Sequence, residues 1–429
     1  MLTLLRWDAP DFEAAIASLS RRGSSDLSSV EPAVRAIVDD VRARGDAAVL
    51  DACERFERRR PAPLVRHLDA ALGAAALSRL SEAAGDALRL ATDRIARFHD
   101  HQRDAGFRYD DDGVTLGTRV RPMRRAGVYA PGGKARYPSS VLMAAIPARI
   151  AGVREIVLAS PLSGDAADDM ILAAAYLAGV HTLLDAGGAQ AIAALAYGTE
   201  SFAPVDIVVG PGNLYVACAK RMVAGDVKID GIAGPSEILI VADDSADAEI
   251  IAADLLSQAE HDEAAYALLV TTEPSLVEAV NKALLKQLAT LPRRAIAEAA
   301  LARQGRAIVV RDRAHLADIA DRIAAEHLAL HVRDADALLD HVHAAGAAFV
   351  GADTPEAAGD YLAGPSHVLP TGGAVRFGAP LGVYDFVTRT SIVRYSKATL
   401  AAHADAITAL ARLEGLEAHA RAVEIRTKR

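Results

Sequence analysis

The chain has little of three things: cysteine, long apolar runs and excess positive charge. Its two cysteines, Cys53 and Cys218, are too few to form a disulfide framework in 429 residues, which favours a reducing compartment. No apolar run reaches the roughly 18 to 20 residues that cross a bilayer. Arg6, Asp8 and Asp11 also interrupt the place where a signal peptide needs an apolar core. We therefore expect a cytoplasmic protein without a membrane span.

The charge balance is acidic, with a formal net charge of −9 and a pI near 5.8. Nucleic-acid-binding proteins concentrate Lys and Arg on one face, so nucleic acid is not an expected partner. The chain has 429 residues, of which 52% are hydrophobic. It can therefore bury a large core and should divide into two or more domains.

Short β-rich apolar runs alternate with helical patterns through the middle of the chain. They occur at 155–159, 182–185, 206–210, 238–242, 266–271, 306–310 and 347–351. Runs of this kind, separated by helices, predict βαβ crossovers and parallel sheets. The expected fold class is α/β, with two doubly wound, Rossmann-like domains and helical extensions at both ends. Neither domain carries the GxGxxG fingerprint of ordinary dinucleotide-binding folds.

Glycine-rich loops follow two of the predicted strands. They are DAGGAQ at 185–190 and GPGN at 210–213, and each leads into a helical pattern whose amino end could hold a phosphate. From spacing alone, tight turns that need glycine explain these loops better than nucleotide contacts do. The segment 127–134 does not match a phosphate-binding P-loop, since Lys134 comes one position late and is followed by Ala135.

Several polar residues have spacings compatible with metal binding or acid–base chemistry, and each is ambiguous alone. Gln258 and His261 are three apart, so on a helix they share one face. Asp360 precedes a Gly-Pro turn, and its local context favours a loop or cap carboxylate over a ligand. Glu326 and His327 combine an acid with a base, but neighbours on a helix point about 100° apart. Glu414 and His419 could belong to a solvated helix face.

The co-occurrence of several longer strings resolves this ambiguity. The chain contains, in this order, VYAPGGKARYPSSVLM (128–143), GGAQAIAALAYG (187–198), GPGNLYV (210–216), IDGIAGPSEILIVA (229–242), LSQAEH (256–261), GPSHVLPT (364–371), RTSIVRYS (389–396) and EGLEAH (414–419). Together they resemble the histidinol dehydrogenase family over nearly the whole chain.

The resemblance implies a set of site residues. One zinc ion per subunit is implied at Gln258, His261, Asp360 and His419. NAD contacts are implied at Tyr129, Gln190 and Asn213. Substrate contacts are implied at Ser236, Gln258, His261, His327, Asp360, His367, Glu414 and His419. Two imidazoles, a carboxylate and an amide oxygen suit a borderline cation such as zinc.

The resemblance also implies the reaction, an NAD-dependent four-electron oxidation of L-histidinol to L-histidine through L-histidinaldehyde, at the end of histidine biosynthesis. His327 is expected to act as the base and Glu326 to activate water for the second oxidation. Aldehyde oxidation can instead proceed through a cysteine thiohemiacetal, but Cys53 and Cys218 have surroundings that favour structural roles.

Two alternatives remain open at this point. A paralogue could oxidise another amino alcohol or diol on the same fold, or a non-catalytic regulator could bind NAD or metal. Two positions depart from the family pattern: Ala329 replaces an expected acidic residue, and Gly231 replaces a bulkier apolar one. The first departure is expected to alter the electrostatics near Glu326 and His327.

The expected domain division follows from the strand pattern and the resemblance. It comprises an N-terminal helical arm (1–25), a discontinuous first α/β domain (26–128 with 239–380), a second α/β domain that contacts NAD (129–238) and a C-terminal helical tail (381–429). The tail has no sheet of its own to cover, so it is expected to bury its apolar stripe on a second subunit. A homodimer is thus expected, with Glu414 and His419 completing the partner's site.

Overall fold

The computed structural model describes residues 1–22, 27–132 and 136–428. Its strands are β1 (Thr3–Arg6), β2 (Val65–His67), β3 (Phe107–Asp111), β4 (Val114–Pro122), β5 (Arg125–Tyr129), β6 (Glu155–Ala159), β7 (Thr182–Leu184), β8 (Ile207–Val209), β9 (Lys228–Ile229), β10 (Glu237–Ala242), β11 (Tyr266–Thr271), β12 (Arg306–Val309), β13 (His327–His331), β14 (Ala347–Val350) and β15 (Val387–Tyr395).

Its helices are α1 (Phe12–Ser20), α2 (Glu31–Arg44), α3 (Asp46–Ala52), α4 (Ala70–Arg79), α5 (Glu82–Asp100), α6 (Pro138–Ala151), α7 (Asp168–Ala178), α8 (Gly188–Tyr197), α9 (Leu214–Val223), α10 (Ala248–Ala259), α11 (Pro274–Leu288), α12 (Arg294–Gln304), α13 (Ala314–Ile323), α14 (Ala335–Leu339), α15 (Glu356–Tyr361), α16 (Lys397–Leu413) and α17 (Glu417–Thr427). Within these described ranges, no helix is long and apolar enough to cross a membrane.

The first sheet is parallel, with the strand order β1-β12-β11-β10-β13-β14. Strand β10 shows why its strands are continuously apolar. Ile238 and Ile240 point into one buried cluster, whereas Leu239 and Val241 point into another on the opposite face. Because side chains alternate along a strand, a sheet covered by helices on both faces needs apolar residues at both sets of positions.

The second sheet has the order β2-β7-β6-β5-β8-β9 and is parallel except for β2, which runs antiparallel to β7. Its core includes Leu27, Val34 and Val49 together with residues of α8 and α9. The helices near the N-terminus therefore pack with the second sheet, whereas the sequence analysis grouped 26–128 with 239–380. Their apolar positions give no signal of which sheet they cover.

The described residues form two compact units. The first comprises 1–102 and 124–386 and contains both parallel sheets. The second comprises 103–123 and 387–429; in it the antiparallel strands β15, β4 and β3 form a sheet, and α16 packs against α17.

The expected α/β class with parallel sheets is confirmed, and all seven predicted strand positions hold strands. Three local expectations differ. The expected helical arm at 1–25 includes β1, which pairs with β12. The expected helical tail at 381–429 includes β15, which pairs with β4. Glu326 and His327 do not lie on a helix, since His327 begins β13.

Candidate active site

Glu326 and His327 lie at the amino edge of the first sheet. His327 pairs with Ile238, so β13 and β10 begin side by side. Ser236 lies just before β10, and its carbonyl accepts a hydrogen bond from Tyr266 at the start of β11 (2.9 Å). In sheets of this kind ligands usually bind beyond the carboxyl ends of the strands, and the sequence pattern predicts candidate residues there. In the first sheet the candidate residues cluster at the opposite edge.

His327 is held as a neutral imidazole with one free nitrogen. Its Nδ1–H donates to the Glu237 carbonyl (2.9 Å), and Glu356 Oε1 lies 3.2 Å from the same nitrogen. Burial lowers the pKa of His327 to about 4, although Asp360 opposes this shift. Its Nε2 is buried without a hydrogen-bond partner among the described residues. With the proton on Nδ1, the lone pair on Nε2 is available to accept a proton.

The Glu326 carboxyl is buried beside this imidazole. Its Oε2 accepts a hydrogen bond from the Glu237 backbone N–H (3.0 Å) and lies 3.8 Å from His327 Nδ1. Burial raises the pKa of Glu326 well above its ordinary value, and the neighbouring Glu237 carboxyl raises it further. Carboxyl groups with raised pKa values are common among groups that exchange protons with a reacting molecule.

Helix α10 brings Gln258 to the same edge. Asp247 caps the start of α10, which ends at Ala259, so Gln258 lies in its last turn. His261 lies just past the helix and is linked to it by a backbone hydrogen bond to Gln258 (3.2 Å). The Gln258 side chain is fully buried, and neither of its amide atoms has a partner among the described residues. A buried amide without a partner is costly, which makes Gln258 a candidate ligand.

Asp360 lies inside the short helix α15, where the sequence analysis weighed a loop or cap carboxylate. Glu356, four residues earlier, shares its face. Potential ligand atoms of His327, Glu356 and Asp360 all lie within 4.8 Å of one another. Burial, followed by Asp360 and Asp254, raises the pKa of Glu356 well above its ordinary value. Sequence reasoning missed Glu356, although its spacing from Asp360 was a usable signal.

His367 and Ser236 complete this part of the site. His367 Nδ1–H donates to the Asp360 carbonyl (3.0 Å), and its Nε2 lies 3.4 Å from Ser140 Oγ. Burial lowers the pKa of His367, and the neighbouring imidazole of His261 contributes to this shift. The electrostatic influence of His261 reaches both His327 and His367. His327, Glu356, Asp360 and His367 of the first unit therefore form one cluster.

The residues expected to contact NAD lie at the carboxyl edge of the second sheet. Tyr129 ends β5, and its hydroxyl accepts a hydrogen bond from Gly188 N–H at the start of α8 (3.1 Å). Gln190 is buried and donates to Glu57 (3.0 Å). Asn213 is exposed and caps α9, accepting from Tyr215 N–H (3.1 Å). Lys134 and Ala135 lie outside the described residues.

Glu414 and His419 belong to the second unit. Glu414 follows α16, and His419 lies in the first turn of α17; both are exposed. The first unit contains the other proposed ligands and catalytic residues. Ala329, one of the departures from the expected pattern, lies within β13 and is buried in the apolar core of the first sheet.

The comparisons with known proteins agree over the full length. The family model described as histidinol dehydrogenase matches residues 20–427. A histidinol dehydrogenase from Syntrophotalea carbinolica is 49% identical over 429 residues and 100% of both chains. One from Dechloromonas aromatica is 47% identical over 97% of this chain and 96% of its own. A crystal structure of histidinol dehydrogenase from Elizabethkingia anophelis matches with a TM-score of 0.93 at 31% identity, covering 100% of this chain and 98% of that one.

Proposed function

The chain belongs to the histidinol dehydrogenase family, oxidoreductases of histidine biosynthesis, and on that premise we propose that it oxidises L-histidinol to L-histidine through L-histidinaldehyde, using NAD and zinc. The observation that carries the proposal is the environment of His327. Its buried neutral ring keeps Nε2 without a partner among the described residues and lies beside the carboxylates of Glu356 and Asp360, and the amide of Gln258 is also buried without a partner.

The residues present fit a zinc ion. Gln258 has both amide atoms buried and unpartnered among the described residues, and it lies one turn before His261. We assign the ligands to Gln258, His261 and Asp360 of one subunit and His419 of the partner subunit. When bound, zinc supplies a Lewis-acid anchor for the amine and imidazole nitrogens of the substrate. Glu356, beside Asp360 and His327, is then a neighbour of the ligand set.

The second sheet fits a dinucleotide. Helices α8 and α9 begin at the carboxyl edge of that sheet and direct their amino ends toward a potential phosphate. Gly210, at φ +118°, brings the backbone within reach of Tyr129, and an added Cβ would lie 2.1 Å from the Tyr129 carbonyl oxygen. We assign NAD contacts to Tyr129, Gln190 and Asn213. NAD supplies the hydride acceptor for each of the two oxidations.

The proton transfers follow from the geometry of the catalytic pair. In the first oxidation, His327 Nε2 takes the hydroxyl proton of histidinol as the C–H bond gives up its electron pair. Glu326 then takes a proton from water as the water oxygen adds to the aldehyde carbon, and the carbonyl oxygen takes the proton that His327 holds, which forms a diol. In the second oxidation, the neutral His327 takes a hydroxyl proton of the diol as the diol C–H bond gives up its electron pair to the hydride acceptor, and the acid forms. Ser236, His367 and Glu414 are assigned to substrate binding.

The stoichiometry of the reaction tests this function. Purified protein given L-histidinol and NAD should form about two NADH per histidine, because alcohol and aldehyde are each oxidised once. NADH is followed by absorbance and histidine by chromatography. A ratio near one with release of the aldehyde would contradict the proposal. Oxidation of another amino alcohol or diol in place of histidinol would favour a paralogue, and zinc or NAD binding without turnover would favour a regulator.

We also propose a homodimer in the cytoplasm. The second unit exposes several large apolar side chains of β15, α16, α17 and the turn between the helices, namely Val393, Leu410, Leu413, Leu416 and Ile425. Leu413 is 84% exposed. Exposed apolar groups of this kind support an interface with another chain. Both cysteines are free and buried, which agrees with a reducing compartment.

Subunit mixing tests whether the sites are shared. His261→Ala and His419→Ala should each be inactive alone. After subunit exchange, each heterodimer should regain one of its two sites, because one site collects both defects and the other collects neither. The measurement is histidinol oxidation per heterodimer, isolated with two affinity tags. Proven heterodimers without activity would show that each chain builds its site alone.

A further inference from the structure

Glu237 lies between the two catalytic residues and contacts both through its backbone. Its N–H donates to the Glu326 carboxyl (3.0 Å), and its carbonyl accepts from His327 Nδ1 (2.9 Å). The Glu237 side chain also contacts Glu326, since Glu237 Oε2 accepts a hydrogen bond from the backbone N–H of Glu326 (3.3 Å). Oε1 accepts from Gly372 N–H (2.8 Å). Displacement of Glu237 would therefore move both catalytic side chains.

Arg22, which follows helix α1, holds Glu237 in place. Its Nη2 lies 2.6 Å from Glu237 Oε2, and the two side chains are 2% and 0% exposed. Its Nη1 donates to the carbonyls of Leu19 (2.7 Å) and Ile323 (2.6 Å). Ile323 ends α13, directly before the segment that leads to Glu326. Arg22 thus forms hydrogen bonds both with the side chain of Glu237 and with the backbone that leads into β13.

Stability alone does not account for a pair of this kind. Removing two charges from water is expensive, and well-packed apolar residues commonly stabilise a core as well as a buried ion pair does. The pair instead fixes several backbone and side-chain atoms in one arrangement, which requires charge-assisted hydrogen bonds of defined direction. Ala324, which follows Ile323 at the end of α13, has a φ of +51°. A non-glycine residue adopts this left-handed conformation only when its surroundings hold it there.

We infer that Arg22 and Glu237 form a positioning pair that sets the geometry of Glu326 and His327 for catalysis. The inference rests on the proposed function for its kinetic consequence, but the placement of the two side chains can be tested without turnover. Neither member is expected to touch the substrate. A positioning error of about 1 Å at a reacting group can lower the rate about 100-fold.

The kinetic test uses Glu237→Gln and Arg22→Lys, with Glu13→Gln as matched control. Glu13 pairs with Arg322 and so also joins α1 to α13, but from the solvent-exposed side (2.6 Å). Both test variants should lower kcat for histidinol about 10- to 100-fold, with KM changed less than about threefold. Glu13→Gln should keep kcat within about twofold of the unchanged protein. Zinc content and thermal unfolding are measured on the same samples.

Chemical rescue separates positioning from general destabilisation. A surface cavity lined by Ser18, Tyr266 and Arg306 reaches Arg22, so added guanidinium can enter where an Arg22→Ala variant has lost its head group. Millimolar guanidinium should raise kcat of Arg22→Ala several-fold and leave Glu237→Gln unchanged, because the second variant lacks the carboxylate partner. Rescue of both variants would overturn the inference.

A crystal structure of Glu237→Gln supplies the readout that needs no activity. The Glu326 carboxyl or the His327 ring should leave its contact with the backbone of residue 237. If both side chains stay in place and kcat falls less than about threefold, the positioning role is wrong. If Glu237→Gln does not fold, Arg22→Lys decides by the same measurements. Failure of the unchanged protein to oxidise histidinol would instead refute the proposed function, whatever the crystal structure shows.

Discussion

His261→Ala should lose its zinc and at least about 100-fold in kcat for histidinol, while the fold remains intact. His261 is exposed in a turn beyond α10, so its replacement creates no cavity in the core. It is also one of only four proposed ligands, and the proposed metal anchors the substrate. Metal content, circular dichroism and kcat are the measurements. Removing zinc from the unchanged protein with a chelator should give the same loss, and returning zinc should reverse it.

His315→Ala is the matched control for that variant. His315 is also an exposed histidine, and its ring contacts only Asp312 among the partners described for it (2.8 Å). This control should keep both zinc and activity. If zinc-free His261→Ala retained full activity, the zinc assignment would be wrong. If it kept its zinc but lost activity, His261 would act on the substrate and not as a ligand.

Most of the strands that could be predicted from sequence are covered on both faces of a sheet. Their runs are continuously apolar, as in β10 and β11, and each run is too short to form a typical helix. Strand β13 was not predicted, because HLALH follows a helical pattern and its first residue, His327, comes directly after the charged Glu326. Strand β15 was not predicted from the sequence for another reason. Its exposed residues pair with β4, more than 260 positions earlier, and local pattern carries no information about such a partner.

The sequence names candidate site residues, but it does not predict at which edge of each sheet they lie. The rule that ligands bind at the carboxyl ends of strands locates Tyr129 in the second sheet. It fails in the first sheet, where Ser236 and Glu326 precede their strands. The local sequence pattern does not reveal at which edge of a sheet a polar residue lies, because that depends on the path of the helix that connects two strands.

Contacts between distant segments explain the residues that were missed. Arg22 and Glu237 are 215 positions apart, and each is an ordinary charged residue in its own sequence context. Only the folded chain shows that both are buried and that Glu237 contacts both proposed catalytic residues. Glu356 differs, since its spacing from Asp360 could have identified it.

Glu326→Gln and His327→Asn should separate the two oxidations. His327 is proposed to accept a proton in both, so His327→Asn should slow histidinol and histidinal oxidation alike, by about 10² to 10⁴. Glu326 is proposed to activate water only for the second. Glu326→Gln should therefore slow histidinal oxidation by a similar factor and the first oxidation less than about threefold. Gln keeps an oxygen that can accept from the Glu237 N–H, so the loss reports chemistry more than packing.

Single-turnover measurements with each substrate distinguish these steps, because steady-state rates merge them. Equal slowing of both oxidations by Glu326→Gln would refute the division of roles. The alternative is a thiohemiacetal on cysteine, which needs a thiolate. Burial raises the pKa of both Cys53 and Cys218, and Cys53 also lies beside Glu57, so both thiols stay protonated near neutral pH. A double Cys53→Ala/Cys218→Ala variant should accordingly oxidise histidinal at nearly the unchanged rate, since we propose that Glu326 activates the water that forms the diol and that no sulfur takes part.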